Sequence, residues 1–184
     1  MASDFKIKKN FLITGPPGIG KTTVITKVAK TLESECGGFY TTEARIKGIR
    51  KGFKIITLDG MSGILADVSL TNTPKIGKYG VNLEDIERIA VASIEKAMIT
   101  RKIVIIDEIG KMEILSPSFK RAVIAALDSS KLVLGTIAEK GDPFFNKIKE
   151  RGDVEILVVS FNNRDDLPDF ILQRLRKFLS ANNQ

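Results

Sequence analysis

The sequence predicts an α/β fold: a three-layer sandwich with helices on both faces of a mostly parallel sheet, and an antiparallel β-hairpin insertion after the first helix. Three observations predict it. Short apolar runs without polar alternation, N-F-L-I-T (10–14), K-I-V-I-I-D-E (102–108) and L-V-L-G-T-I (132–137), read as strands covered on both faces. Segments with apolar residues at helical spacing alternate with these runs. Residues 37–68 break the rhythm, with strand-like runs joined by connections too short for a crossover helix.

Taken in order, the first strand, Asn10 to Thr14, stops at Gly15. Val24, Ile25, Val28, Ala29 and Leu32 then recur at helical spacing, which predicts a helix from Thr22 to about Glu33. F-Y-T-T-E-A-R-I (39–46), F-K-I-I-T-L-D (53–59) and S-G-I-L-A-D-V (62–68) read as three short strands, with K-G-I-R-K-G and G-M-S-G as turns. Asn82 is a helix N-cap followed by Glu84 and Asp85, with Leu83, Ile86, Ala90, Ile94 and Ala97 as the apolar stripe. Ser116 and Pro117 open a helix that runs to about Asp128. A short helix, Phe144 to Glu150, precedes the strand V-E-I-L-V-V-S. The last helix, about Asp166 to Leu179, carries Phe170, Ile171, Leu175, Phe178 and Leu179 on one side. No repeat, low-complexity tract or linker divides the chain. One domain over 1–184 is expected, with 1–9 as an N-terminal extension and about 37–68 as the β-insertion.

Composition narrows the chemistry. The chain has 184 residues, 43% of them apolar and 28% charged, as in ordinary globular proteins. Its 29 basic and 22 acidic residues leave a net charge of +7, which suits either an anionic partner or a plain solvated basic surface. There is no histidine, so Ser-His-Asp and Cys-His nucleophile systems and His-containing metal sites are excluded. Cys36 is the only cysteine, so no disulfide framework or zinc knuckle exists; it reads as a small, partly buried residue near a strand start. Acid–base chemistry must fall to carboxylates, lysine, tyrosine or water. No run approaches the roughly 18 apolar residues of a membrane span, and with no signal core a cytoplasmic location is expected.

The loop G-P-P-G-I-G-K-T-T carries the chemistry. Gly15, Pro16, Pro17, Gly18, Ile19, Gly20, Lys21 and Thr22 fit G-x-x-x-x-G-K-[ST], and Thr23 follows. A triphosphate needs several N–H donors converging on a small volume. Glycine allows that wrapping, and the prolines restrict the loop before a ligand arrives. The amides of Gly18 to Thr23 are the expected donors, aided by the helix N-terminus. Lys21 supplies a cation for the outer phosphates and Thr22 a hydroxyl for Mg2+. Ile103, Val104, Ile105, Ile106, Asp107, Glu108, Ile109 and Gly110 form the matching Walker B segment. Asp107 would hold magnesium through water. Strand alternation aims Glu108 elsewhere, leaving it to polarise an attacking water.

The blocks G-P-P-G-I-G-K-T-T, G-F-Y-T-T-E-A-R with G-I-R-K-G-F, Y-G-V-N, D-E-I-G-K-M-E and N-R-D, in that order from about Phe11 to Leu179, resemble the THEP-type nucleoside triphosphatases. The hairpin block followed by D-E-I-G-K-M-E is much more specific than the P-loop alone. The resemblance implies a RecA-like variant of the P-loop fold and magnesium-dependent hydrolysis of ATP, GTP, CTP and UTP. It also draws in Arg45, Arg50 and Arg164 as arginines able to stabilise γ-phosphoryl charge, each with an alternative reading as a surface or structural ion pair. Lys111 and Glu113 are drawn in by the same blocks, with the same structural alternative, while Tyr79 and Asn82 read as a turn and a cap.

The leading expectation is therefore an NTP hydrolase, with Glu108 and Lys21 catalytic. A P-loop kinase is the alternative, its basic lid drawn from Lys47, Arg50, Lys51 and Lys54; the D-E pair suits water activation better. A nucleotide-dependent RNA- or DNA-binding module using the hairpin and R-L-R-K (174–177) is less supported, because no aromatic-interleaved basic stripe exists. The expected partners are nucleoside triphosphates, with no membrane, no nucleic acid on the leading reading, and a monomeric chain.

Overall fold

All five residues of the first strand are buried, and their side chains divide between two cores: Leu12 enters one, Phe11 and Ile13 the other. Val104 and Ile106 part from Ile103 and Ile105 in the same way. Strands of this kind need cover on both faces. A computed structural model, describing residues 8–181, shows how the chain supplies it.

The elements run β1 (Asn10–Thr14), α1 (Lys21–Thr31), β2 (Cys36–Ile46), β3 (Ile49–Thr57), β4 (Ser62–Asp67), β5 (Lys75–Ile76), β6 (Tyr79–Val81), α2 (Leu83–Asp85), α3 (Ala92–Thr100), β7 (Ile103–Ile109), α4 (Pro117–Asp128), β8 (Leu132–Ile137), α5 (Pro143–Lys149), β9 (Val154–Val158) and α6 (Leu167–Ala181). A π-helical segment, Ile86–Val91, joins α2 to α3. The described residues form one nine-stranded sheet in the order β5-β6-β4-β3-β2-β7-β8-β1-β9. From β2 to β9 neighbours are parallel; β3, β4, β6 and β5 extend the β2 side antiparallel. Residues of α1 and α6 pack on one face, and those of α3, α4, α5 and the π segment on the other.

Several expectations change. The insertion does not begin at 37: Cys36 to Phe39 pair in parallel with Ile103 to Ile106, inside the main sheet. Two glycines hide this strand start, yet a Cβ at Gly38 would lie 2.1 Å from the Ile105 carbonyl oxygen. The turn expected over 47–52 is only Lys47 and Gly48, both at positive φ (49 and 77), and Ile49 to Gly52 already belong to β3. Such paired positive angles match the twist of a tight hairpin. Tyr79 lies in a strand, not a turn. Asn82 does cap its helix, its side chain accepting from the Asp85 amide at 3.2 Å. In α6 the buried positions are Leu167, Pro168, Ile171, Leu172 and Leu175, while Phe170 stays exposed beside Arg174.

Of the expected extension, residues 1–7 lie outside the described residues; the Lys9 ammonium donates to the carbonyls of Leu127, Ser129 and Lys131. Among the described residues no helix is long and apolar enough to cross a membrane.

Candidate functional site

β1 and β7 both end at the same edge of the sheet, with β8 between them. The chain leaving β1 wraps through Gly15, Gly18 and Gly20, all at positive φ (152, 77 and 109), and Gly20 caps α1. Side chains at those angles would be strained, and nothing there projects into the space the loop encloses. The Lys21 ammonium folds back over the loop, donating to the Gly15 carbonyl at 2.7 Å and to that of Pro16 at 3.1 Å. Thr22 and Thr23 form the first turn of α1.

Asp107 comes to this loop from β7. It is 1% exposed, and its Oδ1 accepts from the Thr136 hydroxyl at 2.6 Å. Its Oδ2 is buried without a hydrogen-bond partner. Burial raises the pKa of Asp107 above the usual carboxylate range, opposed first by the hydrogen bond from the Thr136 hydroxyl, then by the nearby Thr22 hydroxyl and Thr41 main chain and by the Lys21 charge. An orphaned buried carboxylate oxygen beside a threonine hydroxyl is a costly arrangement without a ligand. It fits a divalent cation that takes one or two protein oxygens and completes its shell with phosphate and water. Among the described residues no cluster of three or more acidic, cysteine or histidine groups offers a self-contained metal cage.

Alternation alone would separate Asp107 from Glu108, yet both lie within the field of Lys21. Glu108 is half-buried, and desolvation raises its pKa, helped by the Asp107 charge and opposed by Lys21. The rest of the Walker B segment is structural: Ile103, Val104, Ile105, Ile106 and Ile109 are fully buried. Gly110 packs against the Glu113 carboxylate.

Two residues of this site, Thr136 and Thr41, take parts that sequence reasoning did not assign, and a third, Glu113, departs from its expected ion pair. Thr136 reads as part of an apolar run, and only the pairing of β8 with β7 puts its hydroxyl on Asp107. Thr41 contributes its main chain, near the Asp107 carboxylate. Glu113 is neither a surface residue nor an ion-pair partner. It is 3% exposed, its pKa is pushed up to about 8 by burial and the Glu108 charge, and the Gly110 and Glu113 amides partly offset this.

The arginines are not gathered at the loop. Arg45 and Arg50 both bind Glu43, at 2.6 and 2.7 Å, on the β2–β3 hairpin. Arg50 also donates to the Tyr79 hydroxyl at 3.1 Å. These hydrogen bonds lower the Glu43 pKa, that from Arg50 most. Arg164 follows β9, beside β1, with its guanidinium 5.1 Å from the Phe161 ring centroid. Lys111 is exposed and its chain packs near Gly141.

A separate cavity of about 570 Å³ lies between α1, β2, β3 and α3, lined among others by Thr26, Lys30, Cys36, Tyr40 and Lys96. None of Lys21, Asp107 or Glu108 borders it. The Cys36 thiol is buried there and its pKa is pushed up to about 12, chiefly by burial, so it stays a thiol.

Comparison with known proteins agrees with this geometry. Over 165 residues the chain is 51% identical to the nucleoside-triphosphatase THEP1 of Thermotoga sp. strain RQ2, covering 90% of this chain and 94% of that one. The crystal structure of THEP1 from the hyperthermophile Aquifex aeolicus superposes with a TM-score of 0.85 at 34% identity, covering 90% of this chain and 98% of that one. The solution structure of a human cancer-related nucleoside triphosphatase gives 0.79 at 36% identity, covering 92% and 98%. A family model described as NTPase matches residues 10–172, and with the glycine loop, the Walker B acid and the sheet order in place, the chain belongs to that NTPase family.

Proposed function

We propose that the chain is a nucleoside triphosphatase that is magnesium-dependent, transfers the γ-phosphoryl group to water, and accepts all the common bases. One observation carries this reading: the partnerless Asp107 Oδ2, buried beside Thr22 and Lys21 at the mouth of the glycine loop. Thr22 and Asp107 would hold the metal, which when bound neutralises phosphate charge.

The protein's own groups do the rest. The loop amides and the N-terminus of α1 bind the phosphates. Lys21 exchanges the Gly15 and Pro16 carbonyls for the outer phosphates. Glu108 orients a water and takes its proton. The water oxygen bonds to the γ-phosphorus as the bond to the β–γ bridging oxygen breaks, releasing diphosphate nucleotide and phosphate. Arg45 and Arg50 are instead paired with Glu43 on the β2–β3 hairpin.

The test is a hydrolysis panel over ATP, GTP, CTP and UTP, with magnesium titrated and candidate acceptors added singly. Phosphate release that needs magnesium and no acceptor supports the reading. Acceptor-dependent diphosphate formation would replace it with a phosphotransferase. Thr22→Ala should raise the magnesium requirement, and an unchanged requirement removes Thr22 from the metal.

A further inference from the structure

We propose that Phe161 is the platform on which the base of the bound triphosphate stacks; the proposal rests on the reading of the glycine loop as the phosphate site. The loop fixes the phosphates at the end of β1. On the side away from β8, β1 is flanked by β9, with Thr14 opposite Val158. The Val159 amide donates to the Thr14 carbonyl at 2.9 Å, so the segment after β9 is tied to the residue where the phosphate loop begins. Val159 also packs on Gly15: a Cβ there would lie 2.8 Å from Val159 Cγ1. Phe161 comes two residues later, so its Cα lies within about 7 Å of that of Val159. A ribose has only a short gap to span.

The ring is unusual for its position. Phe161 is 73% exposed and belongs to neither core. Its loop is nevertheless braced. Asn163 Oδ1 accepts from the Ser160 amide at 2.8 Å, Asn163 Nδ2 donates to the Val158 carbonyl at 2.9 Å, and the Arg164 amide donates to the Ser160 carbonyl at 3.1 Å. The Arg164 guanidinium lies over one face of the ring, at 5.1 Å from the centroid. With one face so covered and the residue still mostly exposed, the other face is open to a flat ligand. Arg164 thus becomes the group that orients the ring, in place of a γ-phosphate arginine. Every base has a π-face, so stacking tolerates all of them. A platform without hydrogen-bonding groups gives base affinity without base choice.

F161W tests this directly, because the chain has no other tryptophan. ATP, GTP, CTP and UTP should each quench its emission saturably. Inorganic tripolyphosphate, which offers the phosphates without a base, should compete for the site without quenching. In F161A the dissociation constant of each nucleoside triphosphate should rise by about 5- to 150-fold, while that of tripolyphosphate stays within about twofold and Tm is unchanged. Wild-type nucleotide affinity in F161A overturns the proposal. So does an equal loss of tripolyphosphate, which would make Phe161 a support of the loop only. If nucleotides quench F161W but no phosphate is released by the wild-type protein, the platform stands and the hydrolase reading falls. If neither nucleotides nor tripolyphosphate bind, the loop reading falls and the platform with it.

Discussion

Under the proposed hydrolysis the neighbours Glu108 and Asp107 have separable duties. Glu108→Gln keeps size but removes the basic carboxylate, so hydrolysis should fall by about 10²–10⁴-fold with nucleotide affinity retained. Asp107→Asn should lose magnesium-dependent affinity as well as rate; single-turnover rates and dissociation constants for both variants make the comparison. Glu113 gives a prediction of another kind. Its folded pKa is about 8 against an ordinary 4.5, so between those values the unfolded chain holds fewer protons than the folded one. Stability is then lost progressively as pH rises from about 4.5 to about 8. Glu113→Gln is neutral throughout. Its Tm should match wild type near pH 4.5 and exceed it at pH 8 by at least about 2–4 °C, the worth of 1 kcal/mol at this size. A pH-independent difference would show that Glu113 does not carry the loss. That Lys21, Thr22, Asp107 and Glu108 come together was legible in the sequence, because their pattern, a glycine loop after one buried strand and two acids ending another, implies it. It left Glu113 open because M-E-I-L looks the same whether its acid faces water or the core. Only packing decides, and a Cβ at Gly110 would lie 2.8 Å from Glu113 Oε2.

Elements were legible where local chemistry and burial agree. α4 is such a case: Ser116 caps it by accepting from the Phe119 amide at 3.2 Å, Pro117 follows, and the apolar stripe is regular. Ser116 is fully buried, and its hydroxyl also donates to Glu87 at 3.0 Å, tying α4 to the π segment. Ser116→Ala should therefore cost about 1–2 kcal/mol, the upper range for a lost cap, and denaturant midpoints should fall with the m-value unchanged. A variant as stable as wild type would mean that neither bond contributes. β5 and β6 were not legible, since strands of two and three residues carry no periodicity. They exist because β4 offers them an edge, Ala66 pairing with Val81 and Asp67 with Gly80. The start of β2 was hidden for the opposite reason. Cys36, Gly37 and Gly38 have poor strand propensity, but β7 requires a neighbour there, and at Gly38 that neighbour cannot have a side chain.

Across the whole molecule, on the proposed reading, the groups brought together at the loop address phosphate and metal, and the proposed platform addresses any aromatic base. The kcat/KM values for ATP, GTP, CTP and UTP should thus agree within about tenfold, or roughly 1.4 kcal/mol. A thousandfold preference would require a hydrogen-bonding base pocket instead. The three-layer architecture and its helices were readable from the alternation of apolar runs; the strand order was not, because pairing joins residues far apart in sequence. That order has a consequence in time. Leu12 of β1 lies between Gly135 of β8 and Ile156 of β9, so the strand that precedes the glycine loop has no partner until β8 is made and lacks its second until β9 follows. At ribosomal speeds of about 5–20 residues per second, roughly 7–27 s separate synthesis of the loop from synthesis of the end of β9. Through that interval Leu12 lacks its β9 neighbour, and the sheet that carries the glycine loop is complete only once β9 has been made.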